Sequence, residues 1–438
     1  MKSYLSAILF ILISSSEFLY AYETKAPDFD MVQSHKTVEL TPENLPQLSG
    51  KAYESLSVFA LKNGKLQPIP FQFEEYDDKG FLFQGQVKGV NKENVGVFDR
   101  QDLLVFMLKD SGAKATDSQL ESLKLKATLE LSDNGIKSYA YVVESDERSS
   151  TRYVSYNSET GLITMPEALV HMNPKDLLDW GDVFSKNGDS ISEKSFMDTL
   201  IVRITGQFLK IPIRLSNKNL KAKLENVYSG PVRITLDAEF IAIVAKIPLI
   251  RAHAQIHIDS HSARVFLNVN APTKYAKLIK DPQILLGIDG NELFGGFVKT
   301  SSSGSQRFLV DGKMDQHEIA LNEMPVDEDV SWIWLSDKED FNIIGQFDVS
   351  SRDDYDPEKY TDVTVFYRDD VSYQDKHERF SGSLPTLGYR MKAIPDSDKV
   401  GMSYKVCFIR GLKPLEAGDY LSRLDNPTNV SSQSPKEN

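Results

Sequence analysis

The 438-residue chain holds a single cysteine, Cys407, so no intrachain disulfide can form and stability must come from packing. That excludes a small stapled module and favours a large sandwich. With 50 Lys and Arg against 63 Asp and Glu, the net charge is -13, and the chain lacks the basic surplus that displaces counterions from nucleic acid. No internal stretch approaches the roughly 20 apolar residues of a membrane-spanning helix. The most apolar one, Phe240 to Ile250, is interrupted by Lys246 and Pro248. The polar segment Ser431 to Asn438 is unlike the closing aromatic strand of an outer-membrane barrel. There is no internal repeat, and the one low-complexity stretch is the loop Ser301-Ser302-Ser303-Gly304-Ser305. No catalytic signature stands out, and nothing calls for a cofactor.

What is present begins at residue 2. Lys2 supplies a positive charge, Tyr4 through Ile13 is almost wholly apolar, and Leu19-Tyr20-Ala21 ends in the small residue that signal peptidase needs before its cut. Residues 1–21 read as a signal peptide with a mature start near Tyr22. No Cys lies near that point, which argues against a lipid anchor. The expected location is outside the cytoplasm, periplasmic first, with secretion or surface association as alternatives.

Between Thr37 and Tyr156, short β-type runs alternate with turns: Ser57 to Leu61, Ile69 to Phe73, Leu103 to Leu108, Lys124 to Leu131 and Tyr139 to Val143. Asn63-Gly64, Asp78-Lys79-Gly80 and Asp133-Asn134-Gly135 punctuate them. The expectation is a mainly β protein: a small N-terminal β domain over 22–160, a short helical connector over 161–199, a larger antiparallel β-sandwich over 200–425 and a disordered tail over 426–438. Pro174 to Trp180 and Ser192-Glu193-Lys194 read as helix starts on either side of Asn187-Gly188. A helical insertion is expected from Thr273 to Leu286, and a short helix from Pro414 to Leu424.

The informative constellation lies in the second body. Side chains alternate faces along a strand, so residues two apart share a side. Arg251, His253, Gln255, His257, Asp259 and His261 then face one way, against Ala252, Ala254, Ile256 and Ile258. Arg233, Thr235, Asp237 and Glu239 oppose Val232, Ile234, Leu236 and Ala238 in the same manner. So do Arg203, Thr205 and Gln207 against Val202 and Ile204, and Lys221, Lys223 and Glu225 against Leu220, Ala222 and Leu224. Arg264, Asn268 and Asn270 oppose Val265, Leu267 and Val269. Sequential strands commonly pair, so these five are expected to form one sheet with a shared polar face.

Such a face can simply meet solvent. This one gathers three of the seven His residues with Arg, Gln, Asp and Asn, whose planar groups make directed hydrogen bonds to hydroxyls and carboxylates. Arg233, Asp237, Glu239, Arg251, His253, Gln255, His257, Asp259 and His261 are the candidate ligand-binding residues, and a polysaccharide or oligosaccharide is the expected partner. A metal site is limited by strand geometry: His253 and His257 lie about 13 Å apart, leaving only His257/Asp259 or Asp259/His261 with a third ligand from Asp237 or Glu239. For turnover, Asp237 or Glu239 would act with His257 or His261 as base and acid.

Weaker candidates are the acidic clusters Glu74 to Asp78, Asp327 to Asp329 and Asp353 to Asp356, where loose carboxylate loops bind calcium. Trp332 and Trp334 share one side of a strand, as a core contact or a sugar-stacking platform. Phe240 to Ala245 reads as a fully buried strand or as a docking hairpin. The alternative to glycan binding is an envelope interaction or assembly protein contacting a partner through Phe240–Ile250 and the Trp332/Trp334 strand.

Pro68-Ile69-Pro70-Phe71-Gln72-Phe73-Glu74, followed by Asp102 to Met107 and Asp110-Ser111-Gly112, resembles the opening module of certain exported bacterial proteins. Ser229-Gly230-Pro231-Val232-Arg233, turning into a long polar-faced strand, is similar to the entry of the large sandwich in the galactose-mutarotase-like superfamily, which includes many polysaccharide-processing proteins. The resemblance implies a curved sandwich with a carbohydrate groove. It covers the N-terminal module and about Gly230 to Asn270, and matches no catalytic Tyr, His or Arg pattern residue by residue.

Overall fold

The computed structural model describes residues 26–76, 82–83, 95–208, 210–216, 219–244, 247–268, 279–322, 324, 326, 331–351, 363–372, 384–392, 400–413 and 416–435. The signal-peptide segment lies outside them, as do Asp78-Lys79-Gly80 and the clusters Asp327 to Asp329 and Asp353 to Asp356. The chain is mainly β, with antiparallel sheets and a few short helices. The described residues divide into two compact units: those up to Arg152, with Gly230–Val232 and those from Ser422 on, form the first, and those within Tyr153–Ser229 and Arg233–Leu421 the second.

Among the described residues the first unit holds two sheets. One orders strands Thr37–Leu40, Leu103–Met107, Phe71–Tyr76 and Leu82–Phe83; the other orders Asn429–Gln433, Leu125–Asp133, Ile136–Glu144, Leu56–Lys62 and Lys65–Pro68. Asn63 and Gly64 both have positive φ, as do Asn134 and Gly135, which is the tight-hairpin geometry those dipeptides favour. Val38, Leu104, Phe106, Leu129, Leu131 and Val142 pack between the sheets with Phe98. Glu74 and Glu75 are buried and hydrogen-bonded, Glu74 accepting from Tyr76 Oη (2.9 Å) and Glu75 from Tyr53 Oη (2.8 Å), so this end of the first acidic cluster is structural.

The tail is not disordered where it is described. Strand Asn429–Gln433 pairs antiparallel with Leu125–Asp133, Val430 packs against the core, and Thr428 Oγ1 donates to Asp133 Oδ2 (3.1 Å). Asp133 also holds the buried Lys36 ammonium, and Arg423 pairs with Asp30. The helix expected at Pro414 to Leu424 is present as Ala417–Asp425.

The second unit packs one extended core between its sheets. Most of 161–199, expected as a helical connector, is strand instead: a five-stranded sheet runs from Ser155 to Ile191. Asp176, read as part of a helix start, accepts through Oδ1 from Ala222 N (3.0 Å) and Leu178 N (3.3 Å), fixing a turn. Trp180 then opens strand Trp180–Asn187 with its ring buried, and Gly188 turns the chain at positive φ. A second sheet orders Ile211–Leu215, Met197–Phe208, Ile279–Gly290, Thr386–Met391 and Val363–Arg368. Residues 279–286, part of the expected helical insertion, are therefore strand; 271–278 lie outside the described residues.

The largest sheet has nine strands, in the order Leu220–Ser229, Ile234–Val244, Ile247–Ile258, Ser262–Asn268, Val400–Arg410, Phe341–Ser351, Ser331–Ser336, Phe297–Thr300 and Phe308–Leu309. Four of the five strands expected to share a face are its first four, paired in chain order. The fifth, Met197–Phe208, belongs to the other sheet: its hairpin returns as Ile211–Leu215 and Ile279–Gly290 occupies its other edge, so Arg203, Thr205 and Gln207 are not on the polar face. Core-facing positions follow the alternation, with Ile234, Leu236, Ala238, Ile256, Ile258, Val406 and Phe408 joining Val365, Leu387 and Tyr389 of the five-stranded sheet.

Candidate functional site

The polar side of the nine-stranded sheet is laid out by its register. Lys223, Glu239, His253 and Asn268 are cross-strand neighbours in one row. The next row runs Asn226, Asp237, Gln255, Phe266 and Ser403. The third runs Tyr228, Thr235, His257, Arg264, Lys405, Gln346 and Trp332. Rows lie about 7 Å apart and strands about 4.8 Å apart.

A break in the first strand completes the middle row. The pairing shifts between Leu224 and Asn226, so Asn226 and Tyr228, which strict alternation would turn into the core, face the polar side. Asn226 Nδ2 donates to Asp237 Oδ2 at 3.3 Å. Asp237 Oδ1 is paired with His253 Nε2 from the adjacent strand. The carboxylate is buried, while the His253 side chain keeps 39% of its surface exposed. The pair sets a partly exposed imidazole against a buried carboxylate oxygen that accepts no hydrogen bond among the described residues.

The second cluster is aromatic and cationic. His257 meets Phe266 edge to face, ring centroids 4.9 Å apart and planes at 68°, and the Arg264 guanidinium lies 5.9 Å from the Phe266 centroid. Phe266 is 37% exposed, although its cross-strand neighbour Gln255 is buried. The face thus has two tiers: Asp237, Gln255 and Thr235 are buried, and His253, Phe266, His257, Glu239 and Arg264 reach further out.

Not every expected residue joins it. Asp259 and His261 belong to the turn before Ser262, not to a continuing strand. The Asp259 carboxylate accepts from His261 N (2.8 Å), Ser262 N (2.7 Å) and Ser262 Oγ (2.8 Å), which commits it to holding the hairpin closed. His261 is buried, its Nδ1 is 2.6 Å from Ser260 Oγ, and its carbonyl accepts from Phe408 N. Asp259 is thus spoken for as a partner in either chelating pair. Arg233 precedes its strand and is buried; Arg251 is in register with Ile241, and its side chain lies outside the described residues.

Trp332 and Trp334 share one side of their strand, as the alternation predicts; it is the polar side, and both are buried. Gly418, in the helix Ala417–Asp425, lies close to Trp332 Nε1, and Lys299 Nζ is 5.8 Å from the Trp332 ring. Neither ring is open to stack a sugar or to meet a second protein. Most side chains from Phe240 to Ile250 lie outside the described residues. Cys407 is fully buried, as its apolar run predicts.

No protein-family model and no curated protein matches the sequence. Among solved structures, the chain is similar over 94% of its length to an alpha-mannosidase from Enterococcus faecalis V583, with a TM-score of 0.45 and 11% identity. It is similar over 94% to a protein in glycosyl hydrolase family 38 from Enterococcus faecalis, at 0.46 and 10%. Over 57% it is similar to the alpha-N-acetylgalactosaminidase NagBb from Bifidobacterium bifidum, at 0.36 and 7%. It spans 45%, 46% and 36% of those chains, respectively.

Proposed function

We propose that this protein is exported and binds a glycan on the polar face of its nine-stranded sheet. The observation that carries the reading is the His253–Asp237–Asn226 arrangement: a buried carboxylate, hydrogen-bonded from one strand, lies against a partly exposed imidazole on the next. Beside it, the partly exposed His257 offers a further planar donor and acceptor at sheet spacing. Sugars are recognised by several such directed hydrogen bonds at fixed separations, and a sheet supplies those separations without ordering a loop. Binding is the activity proposed; the same imidazole would serve as an acid or base if a scissile atom came within reach.

The test is a glycan-array screen of the protein alongside Asp237→Asn and His253→Ala. Binding that falls at least tenfold in both variants supports the reading. Binding that is unchanged in both, or no binding by the parent protein to any glycan, overturns it. Export has its own check, N-terminal sequencing of protein recovered from the cell envelope or medium, with a start near Tyr22 expected and Met1 contradicting it.

A further inference from the structure

We infer that Phe266 is the platform on which one sugar ring stacks, and that the ring is a neutral pyranose offering a face of C–H groups. The inference rests on the glycan reading above and assigns a residue and a substrate class to it. Phe266 is an apolar side chain in the middle row of a polar face, flanked across the strands by Gln255 and the small Ser403. Burying it in the core would satisfy its hydrophobicity; here it is 37% exposed instead. His257 fixes the ring orientation through its edge-to-face contact.

The chemistry selects the ligand. An aromatic face carries partial negative charge from its quadrupole and attracts weakly positive hydrogens. A pyranose with equatorial hydroxyls turns axial C–H groups toward such a face and its hydroxyls toward the rim. At the rim stand His257 and His253, each one row and one strand away on opposite sides of Phe266, on the order of 8 Å between backbone positions. That separation suits one or two sugar rings. The net charge of -13 disfavours a polyanionic chain; on the face itself Asp237 and Glu239 stand among Lys223, Arg264 and Lys405, so the hexagalacturonate arm decides between neutral and acidic sugars.

The experiment measures binding of the full chain to cellohexaose, mannohexaose and hexagalacturonate by calorimetry, for the parent protein and for Phe266→Trp, Phe266→Leu and Phe266→Ala. Melting curves check that each variant is folded, which the exposure of the site favours. The expected result is binding of a neutral hexaose, retained within about threefold by Phe266→Trp and weakened tenfold or more by both Phe266→Leu and Phe266→Ala. Leu keeps apolar bulk without a π face, so a Leu variant that binds like the parent overturns the stacking role. If His253→Ala weakens binding and Phe266→Ala does not, the platform is wrong while the glycan face stands. Binding of hexagalacturonate alone overturns the neutral-sugar assignment, and binding of no hexaose by the parent overturns both readings.

Discussion

Asp237 and Asp259 show how similar carboxylates acquire different work from their surroundings. Both lie on polar-faced strand sequences, and alternation alone treats them alike. Asp259 falls where the chain turns and is consumed by three hydrogen bonds within its own hairpin. Replacing it with Ala is expected to cost about 1–3 kcal/mol of stability through the donors left without an acceptor, while leaving glycan affinity unchanged. Thermal melts and calorimetry on Asp259→Ala check the two halves separately. Glu318 supplies a pH-dependent case. Burial, reinforced by Asp315, Asp369 and Asp311, raises its pKa to about 7 from the ordinary 4.5, against the opposing hydrogen bond from Asp315 N. The folded state therefore holds this proton more tightly than the unfolded chain, and the stability it contributes, complete below pH 4.5, is lost as pH rises through 7. Glu318→Gln keeps an acceptor for Asp315 N and removes the titration. Its melting temperature is expected to fall less than the parent's between pH 5 and 8; equal falls would contradict the assignment.

At the scale of elements, periodicity carried most of the information and irregularity carried the rest. The strands were legible over 234–239 and 251–258 because their apolar and polar residues alternate there without interruption, and the structure buries Ile234, Leu236, Ala254 and Ile256 accordingly. The bulge near Glu225 was not legible. A single extra residue reverses the facing of everything after it, which is how Asn226 reaches Asp237. Phe266 was hidden by its own chemistry: its position shares a face with those of the polar residues Arg264 and Asn268, but a search for polar groups passes over it. Local helix signals misled at Pro174 to Trp180 because Asp176 forms a turn whose partner, Ala222, is distant in sequence. The terminal strand Asn429–Gln433 was misread for a related reason, since its polar composition gives no hint of the edge it pairs with. Deleting residues 426–438 strips that edge and the Val430 contact, and is expected to lower the melting temperature of the first unit and speed its proteolysis. A truncated chain as stable as the parent would contradict this.

For the whole molecule, the balance of packing and polarity is settled in the second unit. One side of its nine-stranded sheet joins a core continuous with the other sheets, so the strands are fixed by burial and their register is strongly specified. Register, in turn, fixes the spacing of His253, Asp237, Gln255, His257 and Phe266 on the opposite side. A ligand surface built on paired strands is positioned by the fold itself and needs little ordering on binding. The central claim is that the glycan meets this side of the sheet. Its most direct test follows the histidine imidazole resonances by nuclear magnetic resonance while a neutral hexaose is added. The account predicts that the rings of His253 and His257 shift with saturation, while those of His171, His261 and His317 stay in place. Shifts confined to His171 or His317, with His253 and His257 unmoved, would contradict it.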